Sequence, residues 1–172
     1  MDMLKGKVAL VTGAGQGVGQ GVAHALAAEG AQVAVVGRTR DKLVATCDAI
    51  RARGGVAEPF VCDVMDAKQI AQCVAAVVER FRGVQILVNN AQVVPLGRLL
   101  DVTDTDFLAG LASGPIATLR MMRACHPHLK GDYFPGVPAV SDEIRLSPVG
   151  QGFAGNRWSA RFRRNPARAA TF

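Results

Sequence analysis

The sequence predicts a doubly wound α/β fold, in which helices cover both faces of a parallel sheet. Short, continuously apolar runs alternate with segments of helical period over residues 1–130, and strands that are buried on both faces are expected to be apolar throughout. A strand, a helix and a second strand follow one another within about 30 residues. The crossover between those strands is therefore expected to be right-handed, which makes the strands parallel.

The predicted elements alternate regularly along this part of the chain. The strands are predicted at residues 7–11, 31–36, 56–61 and 84–90, and the helices at residues 21–30, 40–53, 67–82, 103–111 and 115–129. In the first helix Val22, Ala25 and Leu26 share one face, which is expected to pack on the sheet, and Gly30 is expected to end the helix. Parallel strands need such crossover helices between them.

The composition is that of an ordinary globular domain. The 172 residues are 49% hydrophobic and 20% charged, which is enough apolar material for one buried core. The sequence has no apolar stretch of the roughly 18 to 20 residues that cross a bilayer, and residues 1–15 lack the pattern of a signal peptide. These features predict a cytoplasmic protein with no membrane partner.

The cysteines and histidines show no spacing typical of a metal site. The four cysteines are far apart and form no Cys-x-x-Cys or Cys/His pattern. Neither a bound metal nor a disulfide framework is predicted, and the cysteines are expected to act as small buried apolar residues. They are Cys47, Cys62, Cys73 and Cys125.

The last quarter of the chain differs in composition from the rest. Lys and Arg exceed Asp and Glu by two in residues 1–132 and by four in residues 133–172, where no acid follows Glu143. The predicted organisation is one folded domain over residues 1–131 and an atypical segment, rich in Pro and Arg, over residues 132–172. Disorder is one expectation for that segment.

A glycine-rich turn joins the first strand to the first helix. In VTGAGQGVGQG, Gly13, Gly17 and Gly19 have the spacing Thr-Gly-x-x-x-Gly-x-Gly, which differs from the more common Gly-x-Gly-x-x-Gly. Residues without a Cβ let the backbone turn tightly and approach a pyrophosphate, whose charge meets free N–H groups and the positive end of the helix dipole. The position of the turn between an apolar strand and a helix predicts a dinucleotide-binding site.

Three motifs together resemble the classical short-chain dehydrogenases/reductases. They are TGAGQGVG (12–19), CDV (62–64) and NNA (89–91), which follow the order and spacing of that family over roughly residues 5–130. The resemblance implies a Rossmann-type sheet, here incomplete on its C-terminal side. It also implies an oxidoreductase that transfers hydride between a nicotinamide cofactor and a small alcohol or carbonyl substrate.

The resemblance assigns roles to particular residues. It implies that Thr12 braces the glycine turn, that Asp63 hydrogen-bonds the adenine amino group and that Asn89 ties the fourth strand to the loop under the cofactor. From the residues alone, Asp63 could instead be a helix N-cap and Asn89 part of a strand-end turn. The implied cofactor-binding residues are Thr12, Gly13, Gln16, Gly17, Val18, Gly19, Arg38, Asp63, Val64, Asn89 and Ala91.

The end of the second strand bears on which nicotinamide cofactor is bound. A carboxylate there usually accepts the ribose hydroxyls of NAD and would repel a 2′-phosphate. This chain has Gly37 and Arg38, with Arg40 nearby, and a guanidinium can bind a phosphate bidentately. NADP is therefore favoured, while Asp41 keeps NAD open as the alternative.

The catalytic residues that the resemblance implies, a Tyr-x-x-x-Lys pair with a Ser and an Asn, have no clear counterparts. Where the Asn is expected the chain has Ser113 and Gly114, of which only Ser113 could hold a water molecule. Ser141, Phe153 and Arg157 lie at about the distances along the chain where the family has Ser, Tyr and Lys. Only Ser113 and Ser141 are catalytic candidates, so whether this chain is an active enzyme stays open.

Two explanations account for the missing pair. Either Tyr and Lys have been replaced in place by Phe153 and Arg157, or the reading frame shifts near Asp132, which would reproduce the spacing by coincidence. The abrupt enrichment in Arg and the loss of periodicity favour the shift. Under both explanations Phe153 has no hydroxyl with which to donate a proton, so impaired catalysis is expected.

Two other functions are compatible with the sequence. The chain could bind NADP without catalysis. Residues 156–168 combine several arginines with Trp158 and Phe162, a mixture that can neutralise phosphates and stack on bases. A solvated basic terminus explains the same residues, so nucleic acid is not an expected partner, and the oligomeric state is not predicted.

Overall fold

The structure, a computed structural model, describes residues 3–95, 97–98 and 100–129. The described residues form a four-stranded parallel sheet of order β3-β2-β1-β4. The strands are β1 (Val8–Thr12), β2 (Gln32–Gly37), β3 (Val56–Val61) and β4 (Ile86–Val88). The helices are α1 (Gly17–Ala28), α2 (Arg40–Arg51), α3 (Ala67–Phe81), α4 (Asp104–Leu111) and α5 (Ala117–Cys125). The predicted doubly wound α/β sheet is confirmed.

Several predictions fall on residues outside this description. They concern the domain boundary near residue 131, the catalytic candidate Ser141, the residues Phe153 and Arg157, and the basic segment 156–168. All of them stay predictions from the sequence.

The strand order places a crevice next to β1. The chain moves outward from β1 through β2 to β3, then crosses back and places β4 on the other side of β1. Val11 of β1 lies in register with Val35 on one side and Val88 on the other. A reversal of direction of this kind opens a crevice at the carboxyl ends of the strands, where doubly wound sheets bind their ligands.

The sheet separates two apolar clusters. All five residues of β1 are buried. Successive residues such as Leu10 and Val11 belong to opposite clusters because successive side chains of a strand point to opposite faces. Helices α3 and α5 cover one face, and α1 and α2 cover the other. Both faces of the central strands β1 and β2 are thereby removed from water, as their apolar sequences require, while Val56 and Val61 of the edge strand β3 stay exposed.

Helix α1 packs through its smallest residues. Gly19, Ala23 and Ala27 are buried, while Val22 and Leu26 are half-buried and pack at the margin of the same cluster. The predicted packing face is wrong for Ala25, which is exposed. The small residues at intervals of four let the helix axis lie close to the sheet, so the contact face is rotated towards them.

The last two predicted helices are one continuous helix. A π-helical turn at Ala112–Ile116 joins α4 to α5, and the N–H of Ala117 donates to the carbonyl of Ala112, five residues earlier. Pro115 lies inside this turn. Proline has no N–H and would break an α-helical hydrogen bond, and the wider turn accommodates it without ending the helix.

Strand β4 is shorter than predicted. Only Ile86–Val88 pairs with β1, instead of residues 84–90, because the Gln85 side chain accepts a hydrogen bond from the Val8 N–H and Asn90 leaves the strand to contact the glycine turn. The residues that follow β4 therefore lie directly at the crevice.

The cysteines are buried, as predicted. All four are free thiols in the two apolar clusters. Within the described part of the chain, no helix is long and apolar enough to cross a membrane.

Candidate functional site

A cavity of about 410 Å³ opens at the carboxyl ends of the strands. Five segments form it: the glycine turn, the end of β2 with the start of α2, the residues after β3, the residues after β4 and the helical turn that contains Ser113. Its lining residues are Gly13, Gly15, Gln16, Gly17, Val18, Gly37, Arg38, Thr39, Lys42, Leu43, Cys62, Asp63, Val64, Met65, Asn90, Ala91, Gln92, Val93 and Ser113. The cavity therefore lies at the predicted crevice beside β1.

The glycine turn is packed against the residues that follow β4. Gly13 has φ +66°, a conformation that glycine adopts without strain. A Cβ on Gly13 would lie 2.8 Å from the side-chain nitrogen of Asn90 and 3.0 Å from the Cα of Ala91. At Gly19 a Cβ would overlap the carbonyl oxygen of Gly13 itself and the Asn90 side chain. Both glycines are thus required by the close approach of the two segments.

Thr12 connects three backbone groups at the top of the sheet. Its buried hydroxyl donates to the Val88 carbonyl at 3.3 Å and accepts from the N–H groups of Asn90 and Ala91, both at 3.0 Å. The side-chain amide of Asn90 donates to the Thr12 carbonyl at 3.1 Å. These bonds connect the carboxyl end of β1 with the chain after β4. They hold the backbone at the start of the glycine turn in place.

The contacts predicted for Asn89 are made by its neighbour Asn90. The side chain of Asn89 is exposed and does not line the cavity, whereas Asn90 makes the bonds to Thr12 and Gly13. The prediction of these contacts for Asn89 is wrong by one residue: β4 ends at Val88, and the side chain of the second residue after it contacts the turn.

Replacing Thr12 with valine is expected to destabilise the fold by about 3 kcal/mol, since the isosteric side chain leaves one carbonyl and two N–H groups without their partner. Thr12→Ser keeps the hydroxyl and is expected to lose only about 1 kcal/mol with its methyl group. Urea unfolding of the two variants and the parent chain measures the difference. Equal unfolding free energies for the two variants would show that the hydroxyl does not stabilise the turn.

The first turn of α1 is open to the cavity. Its N-cap residue, Gln16, is extended and makes no side-chain hydrogen bond to the N–H groups of that turn. In contrast, Asp66 caps α3 by accepting from Lys68 and Gln69, and Thr103 caps α4. The first N–H groups of α1 and the positive end of its dipole are therefore left to an anion in the cavity.

The end of β2 contributes cations to the rim of the cavity. Arg38 and Lys42 both line it and are exposed, while Arg40 begins α2 and does not line it. The Lys42 ammonium donates to the side-chain oxygen of Gln16 at 2.5 Å. The rim beside the glycine turn is therefore positively charged.

Asp63 lies in the cavity at the end of β3. One carboxylate oxygen accepts from the Met65 N–H at 2.9 Å, and the Asp63 N–H donates to the side chain of Gln69 at 3.0 Å. The cap of α3 is Asp66, so Asp63 is not the helix N-cap that the residue alone allowed. Val64, also in the lining, is 8% exposed and gives this part of the cavity an apolar surface.

Ser113 lies in the cavity lining, on the π-helical turn. Its buried hydroxyl accepts from the Val93 N–H at 2.9 Å and donates to the Gly110 carbonyl at 3.3 Å. The hydroxyl proton is therefore already used within the protein, and the side chain fixes the segment after β4. The Gln92 side chain lies over Gly114, where a Cβ would be 3.3 Å from its amide nitrogen.

Cys62 is the one cysteine that lines the cavity. A hydrogen bond from the Cys73 thiol lowers the pKa of Cys62, and the same interaction, together with burial, raises the pKa of Cys73. Both thiols lie in the apolar cluster beneath the sheet end. Cys62 closes the cavity floor as a small apolar residue, and the described residues contain no cluster of His, Cys, Asp or Glu suited to a metal ion.

The structure brings most of the predicted cofactor residues into one cavity. Those that line it are Gly13, Gln16, Gly17, Val18, Arg38, Asp63, Val64 and Ala91, while Thr12 and Gly19 support it from below. Lys42, Asn90 and Gln92 also line the cavity and were not predicted from the sequence. A cation in the first turn of a helix opposes the dipole, but Arg40 shares that position in α2 without lining the cavity, so this feature alone did not identify Lys42.

Comparison with known proteins places this fold in a family. A sequence profile described as short chain dehydrogenase matches residues 7–136. Hydroxysteroid dehydrogenase-like protein 2 of Homo sapiens is 31% identical over 153 residues, which cover 85% of this chain and 37% of the human protein. The short-chain reductase protein NovJ of Streptomyces niveus is 40% identical over 123 residues, which cover 72% of this chain and 47% of that protein.

A solved structure gives the same result. A short chain dehydrogenase from Burkholderia cenocepacia J2315 in complex with NADP shares 37% sequence identity and has a TM-score of 0.70. The match covers 74% of this chain and 52% of the Burkholderia chain, so this chain spans about half or less of the length of these relatives. The family profile matches well over half of this chain, and the chain therefore belongs to the short chain dehydrogenase family of oxidoreductases.

Proposed function

We propose that this chain binds NADP(H) in the cavity at the carboxyl ends of its strands. The observation that carries the proposal is the uncapped first turn of α1, which faces the cavity beside the glycine turn. Unpaired N–H groups and a positive dipole end suit the pyrophosphate of a dinucleotide. The tightly packed Gly13 and Gly19 keep Cβ atoms out of that space.

The remaining parts of the cavity suit the adenosine half of the cofactor. Asp63 keeps a second carboxylate oxygen for the adenine amino group, because the Met65 N–H bonds only the first. Val64 offers the adenine an apolar surface. At the end of β2 the lining has Gly37 and Arg38 in place of a carboxylate, so a 2′-phosphate would meet a cation. NADP is therefore favoured over NAD, and the Burkholderia relative was solved with NADP.

The bound cofactor would supply hydride for the reduction of a carbonyl group, and the substrate proposed is a small alcohol or carbonyl compound. Ser113 and Gln92, on the side of the cavity formed by the π-helical turn and the chain after β4, would shape the place where the substrate meets the cofactor. The Ser113 proton is donated to Gly110, so Ser113 orients the segment instead of giving the substrate a proton.

The catalytic step itself is proposed to be impaired in this chain, because its sequence has no Tyr-x-x-x-Lys pair and a proton-transfer group contributes 10²–10⁴-fold. A binding fold without turnover is the second candidate function, and the same lack of a proton donor favours it. The cytoplasm, where buried free thiols stay reduced, is the proposed location.

Direct titration tests the proposal. The full 172-residue chain is expected to bind NADPH more tightly than NADH, as measured by the increase in nicotinamide fluorescence or by calorimetry. The variant Arg38→Ser should lose affinity for NADPH and keep that for NADH. Tighter binding of NADH by the parent chain would reverse the cofactor assignment, and no binding of either dinucleotide would refute the proposed function.

A further inference from the structure

Lys42 occupies an unusual position for a cation. It lies in the first turn of α2, where the helix dipole disfavours positive charge, and it forms no ion pair with any residue in the described part of the chain. The acceptor of its ammonium is the neutral side-chain oxygen of Gln16. Its charge is therefore left uncompensated at the rim of the cavity.

The Lys42 side chain lies beside the glycine turn at its Cβ and at its ammonium. A Cβ on Gly15 would lie 3.0 Å from the Cβ of Lys42, so the lysine stem runs beside the glycine turn. One helical turn further on, the Gln20 side chain donates to the Thr46 hydroxyl at 3.1 Å, and that hydroxyl donates to the Lys42 carbonyl at 3.0 Å. Gln16 therefore holds the Lys42 ammonium, and Gln20 holds the start of α2 through the Thr46 hydroxyl.

Arg38 alone does not surround a phosphate on this rim. Arg38 follows β2, whereas Lys42 reaches the rim from α2 beside the glycine turn, and both line the same cavity. A phosphate monoester at pH 7 carries nearly two charges, which one exposed guanidinium neutralises only in part. A second, pre-positioned cation lowers the entropy lost on binding, because its side chain is already ordered.

We propose that Lys42, positioned by Gln16, is a second phosphate-binding residue that acts with Arg38 on the adenosine 2′-phosphate. This inference rests on the proposed NADP site and names the residue that sets the preference for the phosphorylated cofactor. Arg38 supplies the planar bidentate contact and Lys42 the point charge. On the approach of the phosphate the ammonium exchanges its neutral amide acceptor for a charged one.

The test uses probes without a nicotinamide, so that it does not depend on turnover. Adenosine 2′,5′-bisphosphate and adenosine 5′-phosphate are titrated against the full chain and its variants Lys42→Met and Lys42→Arg. Lys42→Met is expected to weaken binding of the bisphosphate about tenfold, with less than a twofold change for adenosine 5′-phosphate. Lys42→Arg is expected to retain most of the affinity for the bisphosphate.

The variant Lys5→Met is the matched control, because Lys5 is equally exposed but lies before the amino end of β1, at the opposite end of the sheet from the cavity. It should leave both affinities unchanged. Equal weakening of both probes by Lys42→Met would show that Lys42 binds the 5′-phosphate, and no change in either would show that it binds neither; each result overturns the inference while the NADP site stands. If the parent chain binds the bisphosphate no better than adenosine 5′-phosphate, the NADP assignment and this inference fail together.

Discussion

Gly19→Ala is expected to lower the affinity for NADPH at least 100-fold, and Gly21→Ala, two residues along the same helix, to leave it unchanged. The Cβ of an alanine at position 19 would overlap the Gly13 carbonyl oxygen and the Asn90 side chain. A backbone oxygen cannot move away as the end of a flexible side chain can. The glycine turn must therefore shift, and the N–H groups at the start of α1 shift with it.

Stability separates the two variants as clearly as binding does. A Cβ on Gly21 meets nothing within 4 Å, so Gly21→Ala is expected to stabilise the chain by about 0.5–1 kcal/mol through helix propensity. Gly19→Ala is expected to destabilise it by about 1–3 kcal/mol through overpacking. Urea unfolding and NADPH titration of the same two proteins give both readouts. Wild-type affinity in a folded Gly19→Ala variant would show that the cofactor does not bind at this turn.

The second large effect is the loss of turnover. With a panel of aldehydes and ketones, the full chain is expected to oxidise NADPH at a rate at least about 100-fold below that of a relative with the complete Tyr-x-x-x-Lys pair, since the proton donor is missing. Absorbance of the reduced nicotinamide measures the rate, and Gly19→Ala sets the background. Substrate-dependent oxidation clearly above that background would contradict the expectation and require a proton donor elsewhere in the chain.

A double substitution distinguishes the two explanations of the missing pair. If Phe153 and Arg157 replaced Tyr and Lys in place, Phe153→Tyr with Arg157→Lys should raise the rate by two to four orders of magnitude. If the segment arose from a shifted reading frame, the same double variant should remain at background. Sequencing the coding DNA and translating all frames after codon 131 gives an independent answer.

The regular part of the fold was predictable because its two central strands, β1 and β2, are buried on both faces. Runs such as residues 31–36 have no polar residue on either side after Gln32, and this pattern is compatible with only one kind of sheet. The glycine turn was predictable for a related reason, since its spacing follows from backbone geometry. Of the predicted cofactor residues, Arg38 and Asp63 line one cavity although 25 positions separate them in the chain.

What the sequence did not predict depends on contacts between distant segments. The choice between Asn89 and Asn90 depends on which side chain reaches Thr12 and Gly13 after β4 has ended at Val88. The Lys42 ammonium lies at the rim in a hydrogen bond with Gln16, 26 positions away. The sequence predicted two helices, at 103–111 and 115–129, because local rules cannot show that a wider turn with Pro115 inside it will join them.

The π-helical turn at Ala112–Ile116 also has a consequence for how the family varies in length. A π turn is equivalent to one residue inserted into an α-helix, so deletion of Pro115 itself would leave the helix unbroken, whereas any other one-residue deletion there would leave the proline inside an α-helix. Each residue in an α-helix advances the side-chain direction by about 100°. With Met121 and Cys125 fixed in the core, such a deletion would turn Ser113 out of the cavity. A one-residue gap at this point of an alignment would therefore mark relatives that hold the segment after β4 by other means.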